Sequence, residues 1–312
     1  MHADSPTIAV FGEALVDDFI TEQVVGGAPF NVARHLAAFR VAPLMITRIG
    51  NDDNGAMVAA EFERFGMRDD ALQIDLLEAT GRVIVERSAE SHRFLILPQQ
   101  AYDHIDAGKA LAAMARCAPA AIYFGTLAQR AGTSRAALTA LLAATPAWRF
   151  LDLNVREGQV TERCVFESLH AADIVKVNEQ ELSDLFRWYN HTLPKTADMS
   201  APEVQLACAH LMRVFGLKGL IVTLGPRGAV YFGADGAQLG AYEQAETPEL
   251  VDTVGAGDAF SAIYLLGTAR AWPLATTLRR ANGFAAAICG IAGAVPADLA
   301  FYEQWNARWL AD

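Results

Sequence analysis

The sequence predicts an α/β protein with a mostly parallel central sheet covered by helices on both faces, and three observations carry that prediction. Mainly apolar runs rich in β-formers recur, as in Thr7 to Phe11, Leu44 to Gly50, Ala121 to Phe124, Phe150 to Leu153, Ile174 to Val177 and Leu220 to Leu224. Strands buried on both faces read this way. Between these runs, apolar residues fall at helical spacing, and alternation of the two patterns implies right-handed crossovers between parallel strands. At 312 residues and 53% hydrophobic, the chain is long enough for a sizeable core, as one large domain or two small ones.

Taken in order, Thr7-Ile8-Ala9-Val10-Phe11 is a central strand ending at Gly12. Gly12-Glu13-Ala14-Leu15-Val16-Asp17 leaves its carboxyl end, where open α/β sheets place ligands. Gly26 and Gly27 permit close backbone approach. Val32, Leu36 and Phe39 share one helical face, which puts Asn31 in a first turn, either as a polyol-binding amide or as a simple cap. Leu44 to Gly50 is the second strand, Asn51-Asp52-Asp53-Asn54-Gly55 a turn by composition, and Val58, Phe62 and Phe65 the face of another helix. Val83-Ile84-Val85 and Phe94-Leu95-Ile96-Leu97 flank a polar Ser88-Ala89-Glu90-Ser91 turn and read as a hairpin. Helices carrying Leu111 and Met114, then Leu138, Leu141 and Leu142, connect the next two strands. Ile174-Val175-Lys176-Val177 runs into a helix start at Asn178-Glu179-Gln180-Glu181, where Glu181 could simply cap backbone N–H groups. Trp188 to Pro202 is the most irregular stretch and reads as a surface loop before a helix. Leu220-Ile221-Val222-Thr223-Leu224 leads into Gly225-Pro226-Arg227-Gly228, a ligand loop or a plain hairpin turn into Ala229 to Phe232.

The most informative stretch is Asp252-Thr253-Val254-Gly255-Ala256-Gly257-Asp258-Ala259-Phe260. Two glycines flanking an alanine let successive N–H groups converge on one spot. The apolar helix that follows adds the positive end of its dipole there, which together make an anion cradle. A carboxylate is costly beside a phosphate, so Asp258 in that position suits chemistry: it can accept the proton of a hydroxyl attacking phosphorus. The alternative is a glycine-rich turn whose Asp258 merely caps its helix.

Together with Gly26-Gly27-Ala28-Pro29-Phe30-Asn31-Val32-Ala33, this stretch resembles the two signatures of the ribokinase-like, or phosphofructokinase B, family of sugar kinases. The resemblance keeps the same order from about Val10 to about Pro296. It implies a ribokinase-like three-layer fold over residues 1–312 as a single kinase domain, with a small β lid whose elements fall within 18–25 and 81–98. It further implies ATP and Mg²⁺, with transfer of the γ-phosphoryl group to a sugar hydroxyl. By resemblance Asp258 is the base and Gly255, Ala256 and Gly257 the anion hole. Asp17, Gly26, Gly27 and Asn31 line the sugar site. Asp152-Leu153-Asn154-Val155-Arg156 resembles a fructokinase segment, so Arg156 faces phosphate oxygens or else serves a structural ion pair. The Asn-x-x-Glu element gives Asn178 beside the nucleotide and Glu181 near Mg²⁺ through water. Thr223, Gly225 and Gly228 form a nucleotide loop, Asn282 an adenine-side wall, and Asp252 with residues 290–296 a loop for a monovalent cation such as K⁺. Only eight residues, Asp18 to Val25, separate Asp17 from Gly26, fewer than in most of the family. A reduced lid is therefore expected, partly compensated by Phe30, and either a monomer or a homodimer without strong lid-mediated pairing. Fructose is the first expected substrate; ribose, 2-keto-3-deoxygluconate and a nucleoside such as adenosine are alternatives, as is a catalytically silent sugar- or nucleotide-binding regulator.

Other classes fall away on composition and motif. With 25 Lys and Arg against 36 Asp and Glu, the formal charge is −11 and there is no basic cluster, which disfavours nucleic acid and anionic membranes. No G-x-G-x-x-G follows the first strand and no G-x-x-x-x-G-K-[ST] occurs, which argues against a nicotinamide dehydrogenase and a P-loop kinase. The N-terminal residues show no basic-then-apolar leader, no apolar run is long enough to span a bilayer, and Cys117, Cys164, Cys208 and Cys289 are scattered. A cytoplasmic location with reduced, structural thiols is the resulting expectation.

Overall fold

The computed structural model describes residues 6–19, 22–87, 92–191, 193–241 and 249–311. The chain begins with β1 (Ile8–Phe11), β2 (Leu15–Asp18), β3 (Gln23–Gly26), α1 (Ala28–Ala38), β4 (Pro43–Gly50), α2 (Asp53–Arg64), β5 (Leu72–Asp75), β6 (Gly81–Arg87) and β7 (His92–Ile96). It continues with α3 (Ala107–Ala115), β8 (Ala121–Phe124), α4 (Gly132–Ala143), β9 (Trp148–Asp152), α5 (Glu162–Ala171), β10 (Ile174–Asn178), α6 (Glu179–Tyr189), α7 (Pro202–Phe215) and β11 (Gly219–Thr223). β12 (Ala229–Gly233), β13 (Gln238–Ala241), α8 (Ala256–Ala269), α9 (Leu274–Ile288) and α10 (Ala300–Ala311) complete it.

Among the described residues, nine strands form the large sheet in the order β13-β12-β11-β10-β9-β8-β1-β4-β5. Every pairing from β11 to β5 is parallel, and β12 and β13 add an antiparallel edge. The apolar runs have the expected cause, since a central strand feeds two cores at once. In β1, Ala9 and Phe11 pack with residues of α3 to α7, while Ile8 and Val10 pack with α1, α2, α8, α9 and α10 on the other face. This is the three-layer α/β arrangement that the sequence predicts. Strand order reverses beside β1, so the carboxyl ends of β1, β9, β10 and β11 open onto one crevice, the place where such sheets bind ligands.

A separate four-stranded sheet, β3-β2-β6-β7, stands beside this edge. Its first strand in the chain starts earlier than the lid range 18–25: residues 15–18 form β2, because Leu15 and Val16 can be buried while the strand pairs with both β3 and β6. The segment Asn51 to Gly55 is not a free turn. Asp52 caps α2 by accepting the Gly55 N–H at 2.8 Å, so the polar cluster is a helix start. β6 and β7 do form an antiparallel hairpin; the Ser88-Ala89-Glu90-Ser91 turn between them lies outside the described residues. Trp188 and Tyr189 close α6 instead of opening a loop.

Candidate active site

The two glycine turns start two helices that pack against each other, α1 and α8. Gly27 adopts φ 104°, and a Cβ there would stand 2.6 Å from the Glu13 carbonyl oxygen, so the position admits only glycine. Gly255 has φ 76° and lies against Ala294, which imposes the same requirement at the entry to α8. Asp258 falls in the first turn of α8 and Asn31 in the first turn of α1. Across a sequence gap of 227 residues, Asn31 Nδ2 donates to Asp258 Oδ2 at 2.7 Å. In the cradle itself, the Ala256 N–H points to the Thr253 carbonyl at 3.3 Å and the Ala259 N–H to that of Gly255 at 2.8 Å. Among the described residues the N–H groups of Gly257 and Asp258 have no acceptor, and they sit at the positive end of a 14-residue helix.

A cleft of about 620 Å³ opens from this point along the carboxyl edge, lined by Gly257 and Asp258 at one end and by Asn178, Glu181, Thr223 and Gly225 at the other. Glu181 and Asn178 form a reciprocal cap: Glu181 N–H donates to Asn178 Oδ1, and Glu181 Oε2 accepts from Asn178 N–H, both at 2.9 Å. Its second oxygen accepts from Val155 N–H at 2.9 Å. The capping reading of this element is therefore realised, in a carboxylate that also lines the cleft. Thr223 Oγ1 donates to the Val177 carbonyl at 3.3 Å, and Arg227 of the following turn pairs with Glu179. That turn is also a hairpin, since β11 and β12 pair antiparallel around it. Gly228 and Asn282, the latter midway along α9, are not among the residues lining this cleft.

On the other side, Asp17 lies on β2, its Oδ2 placed 2.6 Å from where a Gly26 Cβ would stand. Three carboxyls share this region and all are pushed toward protonation. Burial raises Asp258 to about 6, with Asp152 adding to the rise and the Asn31 hydrogen bond, Lys176 and Arg156 opposing it. Burial raises Asp17 to about 6, against the opposing charges of Arg156 and Arg34. Glu13 reaches about 7 for the same first reason, and its Oε2 is buried without a hydrogen-bond partner among the described residues. Arg156 is exposed, outside the cleft lining, and acts on all three carboxyls through its charge. Asp252 precedes the cradle; its oxygens accept from Val254 N–H at 3.0 Å and Gly293 N–H at 3.3 Å, so it does meet the 290–296 segment.

Several residues at the site escaped the sequence reading. Lys176, on β10, is 5% exposed and donates to both oxygens of Asp152 at 2.7 Å. Ser261 Oγ donates to the same carboxylate at 2.8 Å and Tyr123 OH at 3.2 Å. The Lys176 ammonium lies 3.5 Å from the position of a Cβ on Gly257, which brings a cation to the rim of the cradle. Its signal was a lysine inside an otherwise apolar strand, since a buried ammonium needs a partner. Glu13 gave the same signal, a single carboxylate directly after the central strand.

Comparison with known proteins gives the family and the fold. The pattern described as pfkB family carbohydrate kinase matches residues 7–298. Fructokinase-1 of Oryza sativa subsp. japonica is 28% identical over 281 residues, covering 83% of this chain and 82% of that one. A solved double mutant of the Vibrio cholerae O395 fructokinase, binding fructose, ADP and potassium ion, superposes with a TM-score of 0.77 at 22% identity over 97% of this chain and 99% of the other. The Xylella fastidiosa fructokinase with bound ATP gives 0.79 at 20% identity, with 97% and 99% covered. These last two speak to the fold, which is ribokinase-like. With both glycine turns, the acidic residue of α8 and the family pattern running through nearly the whole chain, the protein belongs to the pfkB family of carbohydrate kinases, phosphotransferases with a sugar hydroxyl as acceptor.

Proposed function

We propose that the protein is an ATP-dependent kinase of a small free sugar, with fructose the first candidate. The observation that carries this reading is the Asn31–Asp258 hydrogen bond, which joins a polyol-binding turn to a carboxylate at the mouth of an anion cradle. The sugar lies against Asp17, Gly26, Gly27 and Asn31, under the small sheet as a lid, within a chain that works as one unit. Asp17 accepts hydrogen bonds from neighbouring hydroxyls, and Arg156 closes the site by its charge. The nucleotide occupies the cleft along Asn178, Thr223 and Gly225, extending toward Gly228 and Asn282.

As the sugar oxygen bonds to the γ-phosphorus and the bond from phosphorus to the ADP oxygen breaks, the hydroxyl proton passes to Asp258. A pKa of about 6 makes Asp258 a better proton acceptor than an ordinary carboxyl while leaving it mostly ionised at neutral pH. The unpaired N–H groups at the start of α8, with Gly255 shaping the turn, stabilise charge on the transferring group. Lys176 adds positive potential at Gly257 while remaining neutralised by Asp152.

The described residues contain no gathering of three His, Cys, Asp or Glu side chains able to hold a metal directly, and both oxygens of Glu181 already accept backbone N–H groups. That donor set fits a hydrated cation such as Mg²⁺, which Glu181 would hold through water. When bound, Mg²⁺ neutralises phosphate charge. Asp252, held between Val254 and Gly293, is suited to contribute one carboxylate to a monovalent-cation loop such as one for K⁺.

The test is ADP release from Mg-ATP across fructose, ribose, glucose, 2-keto-3-deoxygluconate and adenosine, with and without K⁺. Fructose turning over well above the others supports the proposal. Preference for another member reassigns the substrate, and absence of turnover despite ATP binding to the intact protein overturns the enzymatic reading of the site.

A further inference from the structure

Arg34 is a buried guanidinium, 3% exposed, that the reaction as described does not use. From α1 it donates to three groups on different elements: Glu61 Oε2 of α2 at 2.7 Å, the Val25 carbonyl of β3 at 2.9 Å, and Asn31 Oδ1 at 2.6 Å. It also stacks on the Phe30 ring, 4.9 Å from the centroid, and Phe30 in turn stacks on Phe62. Glu61 is held from its other side by Arg64, at 2.8 Å.

An amide side chain has one accepting and one donating end, whereas arginine only donates. With Arg34 bound to Oδ1, Asn31 has its Nδ2 left for Asp258, and the amide cannot turn over without bringing two donors together. Asp258 Oδ2 is thereby occupied by Asn31.

We infer that Arg34 is a positioning residue for phosphoryl transfer: it locks the Asn31 amide so that Asn31 grips Asp258 Oδ2 and Oδ1 is the oxygen that receives the sugar proton. The inference rests on the reading of Asp258 as base. Because Arg34 also holds the Val25 carbonyl, the alignment of the base is tied to the placement of the small sheet. The charged groups facing Asp258 are Asp152 of β9, Lys176 of β10, Arg156 and the neighbouring carboxyls Glu13 and Asp17, all of which remain when Arg34 is removed.

The test compares wild type with R34M, and with the double variant R34M/E61L. The double variant replaces the buried pair by apolar side chains, so that Glu61 is not left with its main partner missing. Two quantities are read per folded molecule, with folding verified by ATP binding. These are kcat with Mg-ATP and D-fructose, and the titration of the Asp258 carboxyl in ¹³C-aspartate spectra, assigned with D258N. Misalignment of the base is expected to lower kcat by about tenfold to a hundredfold. Asp258 is expected to titrate at higher pH, because the Asn31 N–H no longer favours its anion. A structural role alone would lower the melting temperature and leave that titration in place.

A folded variant, single or double, with kcat within about twofold of wild type and an unmoved Asp258 titration overturns the inference. D258N distinguishes the two levels. If it keeps wild-type turnover, the base assignment itself fails; if it collapses while the Arg34 variants behave as wild type, only the role of Arg34 is lost.

Discussion

The two halves of the proposed site hold their polar groups differently. Along the nucleotide half these groups are paired within the protein, although burial raises the Glu181 carboxyl too: Glu181 caps α6 and holds Val155, Asn178 returns the cap, and Lys176 pairs with Asp152. On the proposed sugar half, Glu13, Asp17 and Asp258 are desolvated carboxyls whose pKa values are raised to about 7, 6 and 6; Asp258 is held by Asn31, and one Glu13 oxygen is buried without a partner among the described residues. On this proposal the nucleotide half is structure first and site second. The sugar half is held ready at a cost in stability, which hydroxyl donors of a substrate would offset.

Substitutions can break or sharpen this contrast. The largest effect belongs to D258N, which should lower kcat by about a hundredfold or more while calorimetry shows sugar binding nearly unchanged; near-wild-type turnover would remove Asp258 from the mechanism. Next, D17A should raise the apparent sugar KM about tenfold to a hundredfold, since it leaves substrate hydroxyls unpaired, and should leave the KM for ATP alone. Equal effects on both substrates would erase the proposed division of the site. E181A should act in both currencies of the nucleotide half. It should raise the Mg²⁺ concentration needed for half-maximal rate by about tenfold and lower stability by about 1 kcal/mol through loss of the cap; a stability change without any Mg²⁺ effect would make Glu181 purely structural.

The smallest effect is thermal. A carboxyl whose pKa is raised on folding contributes stability that is complete below its unfolded value, near 4, and is lost as pH rises through its folded value, about 6 for Asp17. D17N should therefore melt higher than wild type at pH 7.5, by on the order of 1 kcal/mol of stability, and the gap should close toward pH 4. A variant that melts lower at pH 7.5 would instead make Asp17 a net-stabilising charge in the free protein.

Much of this was readable from the chain because the signals were local. Glycines at 27 and 255 are demanded by backbone geometry within a few residues of where they stand, and the apolar runs of β1, β8, β9 and β10 betray burial on both faces. Residues 15–17 carry no strand signal of their own because a four-residue strand is defined by its partners, and β6, one of the two partners of β2, begins 66 residues after Leu15. Lys176 and Arg34 are similar cases: each looks like an isolated charge until Asp152 or Glu61 and Asn31 are brought to it.

By itself, then, the sequence determined the layered α/β class, the two helix-starting turns and the acid after the second of them, because periodicity and glycine requirements act over short stretches. Only the tertiary structure decided which groups meet: that Asn31 reaches Asp258, that Arg34 orients Asn31, and that three carboxyls share one desolvated corner. The longest of those pairings spans more than two hundred residues, and it is fixed by packing of α1 against α8, with α1 and α2 tied in turn to the small sheet. Long-range proximity of this kind is a property of the assembled layers and has no local signature in a single chain.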